Sequence, residues 1–189
     1  MAGVKRVVVL LACAATPAIA QGFPDPPPGA TRGGVAAQSI PKSQLASITQ
    51  HIAGTTIDVV YRRPVARGRT LFGALVPWDK VWSPSADSAP RFTTSRDIEV
   101  NGSPLAAGSY SLWAIPGEKE WTWIFNSQAA VFHLNYPNGK DVLRIKSVPE
   151  TAGHIETLTL SFPLVDADSA VFRLHWGTTA VPIRIKTKP

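Results

Sequence analysis

Residues 61–73 of this 189-residue chain place four arginines in one short segment that also contains a proline and two glycines. Arg67 and Arg69 flank Gly68, and their guanidinium groups and backbone amides could bind a phosphate or a carboxylate. Pro64 favours extended backbone at Arg63, and Gly68 permits a turn with positive φ. The same arginines could instead pair with carboxylates and carbonyls of the fold and hold a long loop in place.

A second group of candidate residues follows in residues 78–87. Trp78 and Trp82 could provide apolar contacts to a ligand bordered by Arg63, Arg69 and Asp87. Asp87 could alternatively serve as the general base of a hydrolase, if a second polar group lay within its reach. The predicted ligand-binding residues are Arg63, Arg67, Arg69, Trp78, Trp82 and Asp87.

The sequence predicts no metal site, no cofactor and no confident catalytic residue. His154 and Glu156 would share one face of a strand, but a zinc site needs three or four ligands. The chain contains no Gly-x-Ser-x-Gly motif and no phosphate-binding motif of the Walker or Rossmann type.

Short runs rich in β-branched and aromatic residues, separated by turn-forming residues, predict an all-β fold. We expect an antiparallel β-sandwich or jelly roll of about nine strands with little or no helix, at most a single turn near residues 71–76. Ala53-Gly54 and Asn101-Gly102 are the expected tight turns. The predicted strands are residues 45–52, 55–62, 91–100, 108–115, 121–126, 141–148, 155–162, 169–176 and 179–187.

Alternation along these strands places apolar residues inward and basic residues outward. The outward set could form one positive face that meets anionic lipid, polysaccharide or another protein, or it could be an ordinary solvated surface. Aromatic residues are scarce on this face, and we therefore predict no nucleic-acid binding. Its members are Arg144, Lys146, Arg173, His175, Arg184 and Lys186.

The first 20 residues have the pattern of a secretory signal peptide, with Lys5 and Arg6 before an apolar run and cleavage expected after Ala20. We therefore expect an exported, periplasmic or secreted protein without a transmembrane span. A lipid anchor at Cys13, the single cysteine, would instead make it an outer-membrane-associated lipoprotein. Cleavage lowers the net charge from +6 to +4. Residues 21–38 are predicted to be a Pro/Gly-rich flexible linker, and residues 39–189 a single domain.

Ordered motifs between residues 43 and 186 resemble the exported bacterial family called domain of unknown function 2911. The resemblance implies export and leaves the activity open. The family typically has Arg-x-Gly-Ala-Asn-x-Ala-Thr after its tryptophan, whereas Ser83 and Asp87 replace that arginine and asparagine here. The matching motifs are Tyr61-x-Arg63-Pro64, Gly68-Arg69-x-Leu71-Phe72-Gly73-x-Leu75-Val76-Pro77, Val81-Trp82, Asn101-Gly102, Leu105-x-Ala107-Gly108-x-Tyr110-Ser111-Leu112, Ile115-Pro116, Trp121, Asn126 and Trp176.

These observations favour a non-catalytic, envelope-associated binding module for an anionic or carbohydrate ligand. The expected site lies where the loop of residues 63–73 meets residues 78–87. Two alternatives remain open: a hydrolase of envelope or extracellular polymers that uses Asp87, and a structural protein-interaction domain that uses the basic face.

Overall fold

The computed structural model describes residues 41–187, which contain ten strands and no helix. The strands form two antiparallel sheets, one of six strands in the order β1-β2-β3-β6-β7-β8 and one of four in the order β5-β4-β10-β9. The predicted β-sandwich is therefore confirmed. The bounds are β1 Gln44–Ile52, β2 Thr55–Arg63, β3 Arg91–Thr94, β4 Ile98–Val100, β5 Ser103–Leu105, β6 Gly108–Ile115, β7 Trp121–Asn126, β8 Asp141–Ser147, β9 Glu150–Val165 and β10 Ser169–Thr187.

Three sequence predictions concern segments outside the described residues: the signal peptide of residues 1–20, the lipid anchor at Cys13 and the linker of residues 21–38. They stay predictions. Within residues 41–187, no helix is long and apolar enough to cross a membrane.

Two tight turns have the backbone geometry that their residue types predict. Ala53 and Gly54 have φ values of 44° and 76° between β1 and β2, and Asn101 and Gly102 have 46° and 81° between β4 and β5. Two successive residues with positive φ are typical of the type I′ turn, whose twist matches that of the strands it joins.

The expected strand 91–100 is two strands, because the chain changes sheets within it. β3 pairs with β2 and β6 in the larger sheet, whereas β4 pairs with β5 and β10 in the smaller one. Residues continue to alternate across the break, so periodicity alone could not reveal the change. β5 was missed because it is short and contains Pro104, which sequence rules allow on an edge strand such as this one.

The expected strands 169–176 and 179–187 form one continuous strand, β10, that turns back on itself. Nineteen extended residues would span roughly 60 Å. The Thr187 amide nevertheless donates a hydrogen bond of 2.8 Å to the carbonyl of Asp168, which directly precedes β10. β10 stays paired with β9 on both sides of Gly177, but the register shifts there and φ is +59°, so the strand bends. The two ends of β10 therefore lie side by side.

Most of the predicted inward residues are buried, but one detail of the predicted alternation is wrong. His175 was expected outward and is only 9% exposed. Its partner in β9, Thr159, accepts a hydrogen bond of 2.8 Å from the Arg63 guanidinium, so this part of the outer surface is covered. Residues 71–76, where at most a single helical turn was expected, form a non-helical turn in which the Val76 amide donates to the Leu71 carbonyl at 2.8 Å.

The six outward basic residues do not form one positive face. β8 carries Arg144 and Lys146 on the larger sheet, and β10 carries the others on the smaller sheet. Arg144 Nη2 lies 2.7 Å from Asp141 Oδ2, and Lys146 Nζ lies 2.8 Å from Glu120 Oε1. The sequence could not show this division, since strand order is set by contacts between distant segments.

Candidate functional site

The most promising site is a cavity of about 440 Å³ beside Trp82, which we call the Trp82 cavity. Its volume falls within the roughly 300–1,000 Å³ of typical small-molecule sites. Apolar and aromatic side chains predominate in its wall, with a few polar groups among them. The lining residues are Pro64, Arg69, Leu75, Val76, Val81, Trp82, Ser83, Ser85, Ala86, Trp113, His133, Leu134, Tyr136 and Trp176.

Trp82 holds its place in the wall through backbone pairing and ring packing. Its amide and carbonyl exchange hydrogen bonds of 2.8 Å with Ala114 of β6. Its indole stacks on that of Trp176, with ring centroids 6.1 Å apart and planes 6° apart. Phe72 meets Trp82 edge to face at 6.0 Å. These contacts fix the indole before any ligand arrives.

Arg69 places residues 61–73, which we call the arginine segment, at the cavity wall and also stabilises that segment. Its Nε donates to the Ala66 carbonyl at 2.8 Å, and its Nη2 donates to the Val65 carbonyl at 2.7 Å. Nη1 has no hydrogen-bond partner among residues 41–187. The guanidinium therefore has a structural role and keeps donor capacity for a ligand.

Ser83 provides the least satisfied polar group of the cavity wall. The residue is 2% exposed, and its Oγ has no hydrogen-bond partner within the described chain. The neighbouring Ser85 differs, because its Oγ accepts from the Arg62 amide at 2.8 Å. A buried hydroxyl without a partner costs about 1–3 kcal/mol. A ligand oxygen that met Ser83 would remove that cost.

Tyr136 closes another part of the wall and belongs to a hydrogen-bonded network. Its hydroxyl donates to Asp141 Oδ2 at 2.6 Å, and Arg144 Nη2 donates to the Tyr136 oxygen at 3.1 Å. Asn126 donates to Asp141 Oδ1 at 2.9 Å. Burial raises the pKa of Asp141, but hydrogen bonds from Tyr136, Asn126 and Arg144 outweigh that effect and hold the pKa below its usual value. Burial and the bond to Asp141 raise the pKa of Tyr136.

Protonation of Asp141 in acid is therefore expected to lower the stability of the fold. A carboxyl whose pKa is lowered by folding stabilises the fold above its unfolded value of about 3.9, and that stabilisation is lost as pH falls through the folded value. Melting temperatures of the wild type and Asp141→Asn should therefore converge below about pH 4. A difference between the two proteins that stays constant from pH 7 to pH 3 would contradict this role.

The other predicted site residues lie outside the Trp82 cavity. Arg63 donates to the Leu158 carbonyl at 3.2 Å and to Thr159, both within the fold. Trp78 lines two other cavities, of about 320 and 210 Å³. The Asp87 side chain is 63% exposed, and its Oδ2 lies 3.2 Å from Arg62 Nε. Their part in ligand binding stays a prediction.

Arg67 contributes its backbone more than its side chain. Its φ is 54°, and its amide donates to Glu156 Oε2 at 2.8 Å. His154 lies 2.9 Å from the other carboxylate oxygen. The bond from His154, and secondarily the one from the Arg67 amide, lowers the pKa of Glu156. The arginine segment is thus held by internal partners, and Arg69 is the one arginine of the segment that lines the Trp82 cavity.

Sequence reasoning missed the segment of residues 131–136 as part of the site. It contributes His133, Leu134 and Tyr136 to the wall, and a bridge between Ser88 and Phe132 positions it. No strand pattern marks this segment, so only the fold reveals its place. A usable signal was present at Ser83, where a small polar residue follows the tryptophan. Among residues 41–187, no three His, Cys, Asp or Glu side chains cluster closely enough to hold a metal.

Residues 43–185 match the family described as "Protein of unknown function (DUF2911)". The match covers more than half of the chain, so the protein belongs to this family and the resemblance in its motifs is confirmed. No curated protein and no solved structure matches the chain.

Proposed function

We propose that the protein is a non-catalytic binding module of the cell envelope, and that the Trp82 cavity binds a small anion with an apolar body. The Oγ of Ser83, which is buried and without a hydrogen-bond partner in the described part of the chain, lies in a cavity bordered by Arg69 and carries this proposal. The pattern of residues 1–20 supports an exported protein, which would meet its ligand outside the cytoplasm.

The apolar part of the ligand would lie against the tryptophans of the wall. Trp82 is partly exposed and its ring is stacked on that of the buried Trp176, so it offers a rigid surface that loses little entropy on binding. Burial of apolar ligand surface contributes about 25 cal/mol per Å². This term would supply most of the affinity.

The charged part of the ligand would be placed by the polar groups. The Nη1 of Arg69, which has no partner among residues 41–187, and the hydroxyl of Ser83 can both donate to a carboxylate. No carboxylate side chain lines the cavity among the described residues, so nothing there would repel an anion. An uncharged ligand of the same shape would leave Arg69 without this partner.

Binding of octanoate and of the uncharged octanamide to the exported chain provides the test. We expect saturable binding of octanoate by calorimetry, and weaker binding of octanamide. Ser83→Arg should abolish binding because its long side chain fills the cavity, whereas Ser83→Ala should weaken it about fivefold through the loss of one hydrogen bond of about 1 kcal/mol.

Arg67→Ala is the matched control for Arg69→Ala. Both substitutions remove one positive charge from the same loop, but Arg67 does not line the cavity. We expect Arg69→Ala to weaken octanoate binding and Arg67→Ala to leave it unchanged. Equal effects of the two substitutions, or octanoate binding that survives Ser83→Arg, would contradict the proposal.

A further inference from the structure

We propose that Arg173 and Arg184 form a second site, which binds the phosphate group of a phosphate ester. Both line a cavity of about 400 Å³ on the smaller sheet, apart from the Trp82 cavity. Their buried neighbours Phe172, Leu174 and Ile183 face the core, so alternation directs both arginines outward. The bend of β10 brings its two ends together, and both arginines line the same cavity.

Two like charges in one cavity repel each other and favour an anion between them. Within residues 41–187, neither arginine forms an ion pair. Glu150 also lines the cavity without pairing with either. Of the other outward basic residues, Arg144, Lys146 and Lys186 form ion pairs and His175 is buried. Lys186 Nζ lies 4.0 Å from Asp168 Oδ2. Among the residues that the structure describes, these two arginines are therefore the members of the predicted basic surface without an ion-pair partner.

The site is held ready by hydrogen bonds that involve Asn101. The Arg184 amide donates to Asn101 Oδ1 at 2.7 Å, and the Asn101 amide donates to the Arg184 carbonyl at 2.8 Å. Arg184 Nη2 donates to Ser169 Oγ at 3.4 Å, which orients the guanidinium. Asn101 itself lines the cavity.

Arg173 provides the observation that points most directly to a ligand. Its Nε is buried and has no hydrogen-bond partner among residues 41–187. A buried donor of a charged group left unpaired is costly, and an acceptor oxygen in the cavity would remove that cost. Two guanidinium groups present several donors in planar forks, which suits the three or more oxygens of a phosphate better than a single carbonyl.

The surroundings suit a phosphate ester with an apolar portion. Leu164 is 62% exposed and lines the cavity together with Val171 and Pro163. A phosphate ester of this kind could be a soluble metabolite or a phospholipid headgroup. The chemistry recognised at the arginines is the same in both cases.

Two probes distinguish these sources: glycerol 3-phosphate in solution, and vesicles of phosphatidylglycerol compared with phosphatidylcholine. We expect saturable binding of glycerol 3-phosphate by calorimetry if the ligand is soluble, and preferential sedimentation with phosphatidylglycerol vesicles if it is a lipid. Binding should weaken as sodium chloride is raised from 50 to 300 mM, since the charges are exposed to screening.

Arg173→Gln and Arg184→Gln should each weaken binding of the effective probe at least tenfold. Arg91→Gln is the matched control, because Arg91 is an exposed strand arginine outside the cavity, and it should change binding less than twofold. In buffer without phosphate or a phosphate ester, Arg184→Gln should melt at or above the melting temperature of the wild type, which would show that the variant folds. The Trp82-cavity variant Ser83→Arg should bind both probes as the wild type does, so this site and the proposed function can fail separately. Absence of binding to both probes, or equal weakening by the control, would overturn the proposal.

Discussion

Replacing Phe172 by alanine is expected to lower the free energy of unfolding by about 3–5 kcal/mol. Phe172 lies on β10 of the smaller sheet and is 0% exposed. Its ring centroid lies 5.7 Å from that of Phe92 and 5.8 Å from that of Trp123, both on the larger sheet. It also packs against Phe162 at 5.2 Å. The substitution would therefore open a cavity between the two sheets at a point where both supply aromatic rings.

Chemical denaturation with guanidinium chloride, followed by fluorescence, measures this loss. Phe172→Leu should cost less, because it leaves a smaller cavity. Leu45→Ala is the surface control: Leu45 is 62% exposed, and its truncation should change the stability by less than about 0.5 kcal/mol. If Phe172→Ala and Leu45→Ala had similar costs, the two sheets would not depend on this contact.

Much of the sandwich could be predicted because its signals are local. Alternation along residues 169–176 correctly placed Phe172 and Leu174 inward, and Asn101-Gly102 correctly marked a turn. The failures share a different cause. The change of sheet near residues 95–97, the burial of His175 and the separation of Arg144 from Arg173 depend on which segments become neighbours. Periodicity carries no information about that choice.

The Trp82 cavity was predictable only in part for the same reason. The sequence suggested that the arginine segment meets residues 78–87, and the structure brings Arg69, Trp82 and Ser83 into one wall. It gave no reason to add His133 or Tyr136, which come from a segment without a strand pattern. It also could not show that Arg63 is engaged by the β9 backbone, since its acceptor lies 95 residues away.

Gly73→Ala is expected to destabilise the loop beside Trp78 by about 2–4 kcal/mol, through two separate costs. Gly73 has a φ of +83°, which residues with a Cβ rarely adopt. A Cβ at this position would also lie 2.4 Å from Trp78 Nε1, far inside van der Waals contact. The indole would have to leave its packing against Phe72, where the ring centroids are 6.2 Å apart.

Gly68→Ala separates these two costs within the same loop. Gly68 has a φ of +68°, similar to that of Gly73, but a Cβ there would meet no atom within 4 Å. Its substitution should therefore cost only the backbone strain, about 1–2 kcal/mol, and leave the near-ultraviolet circular dichroism of the tryptophans unchanged. Gly73→Ala should cost more and change that spectrum, because it displaces Trp78. Equal costs with unchanged spectra would mean that Trp78 moves freely, and that the close approach of the backbone to its ring does not fix the indole.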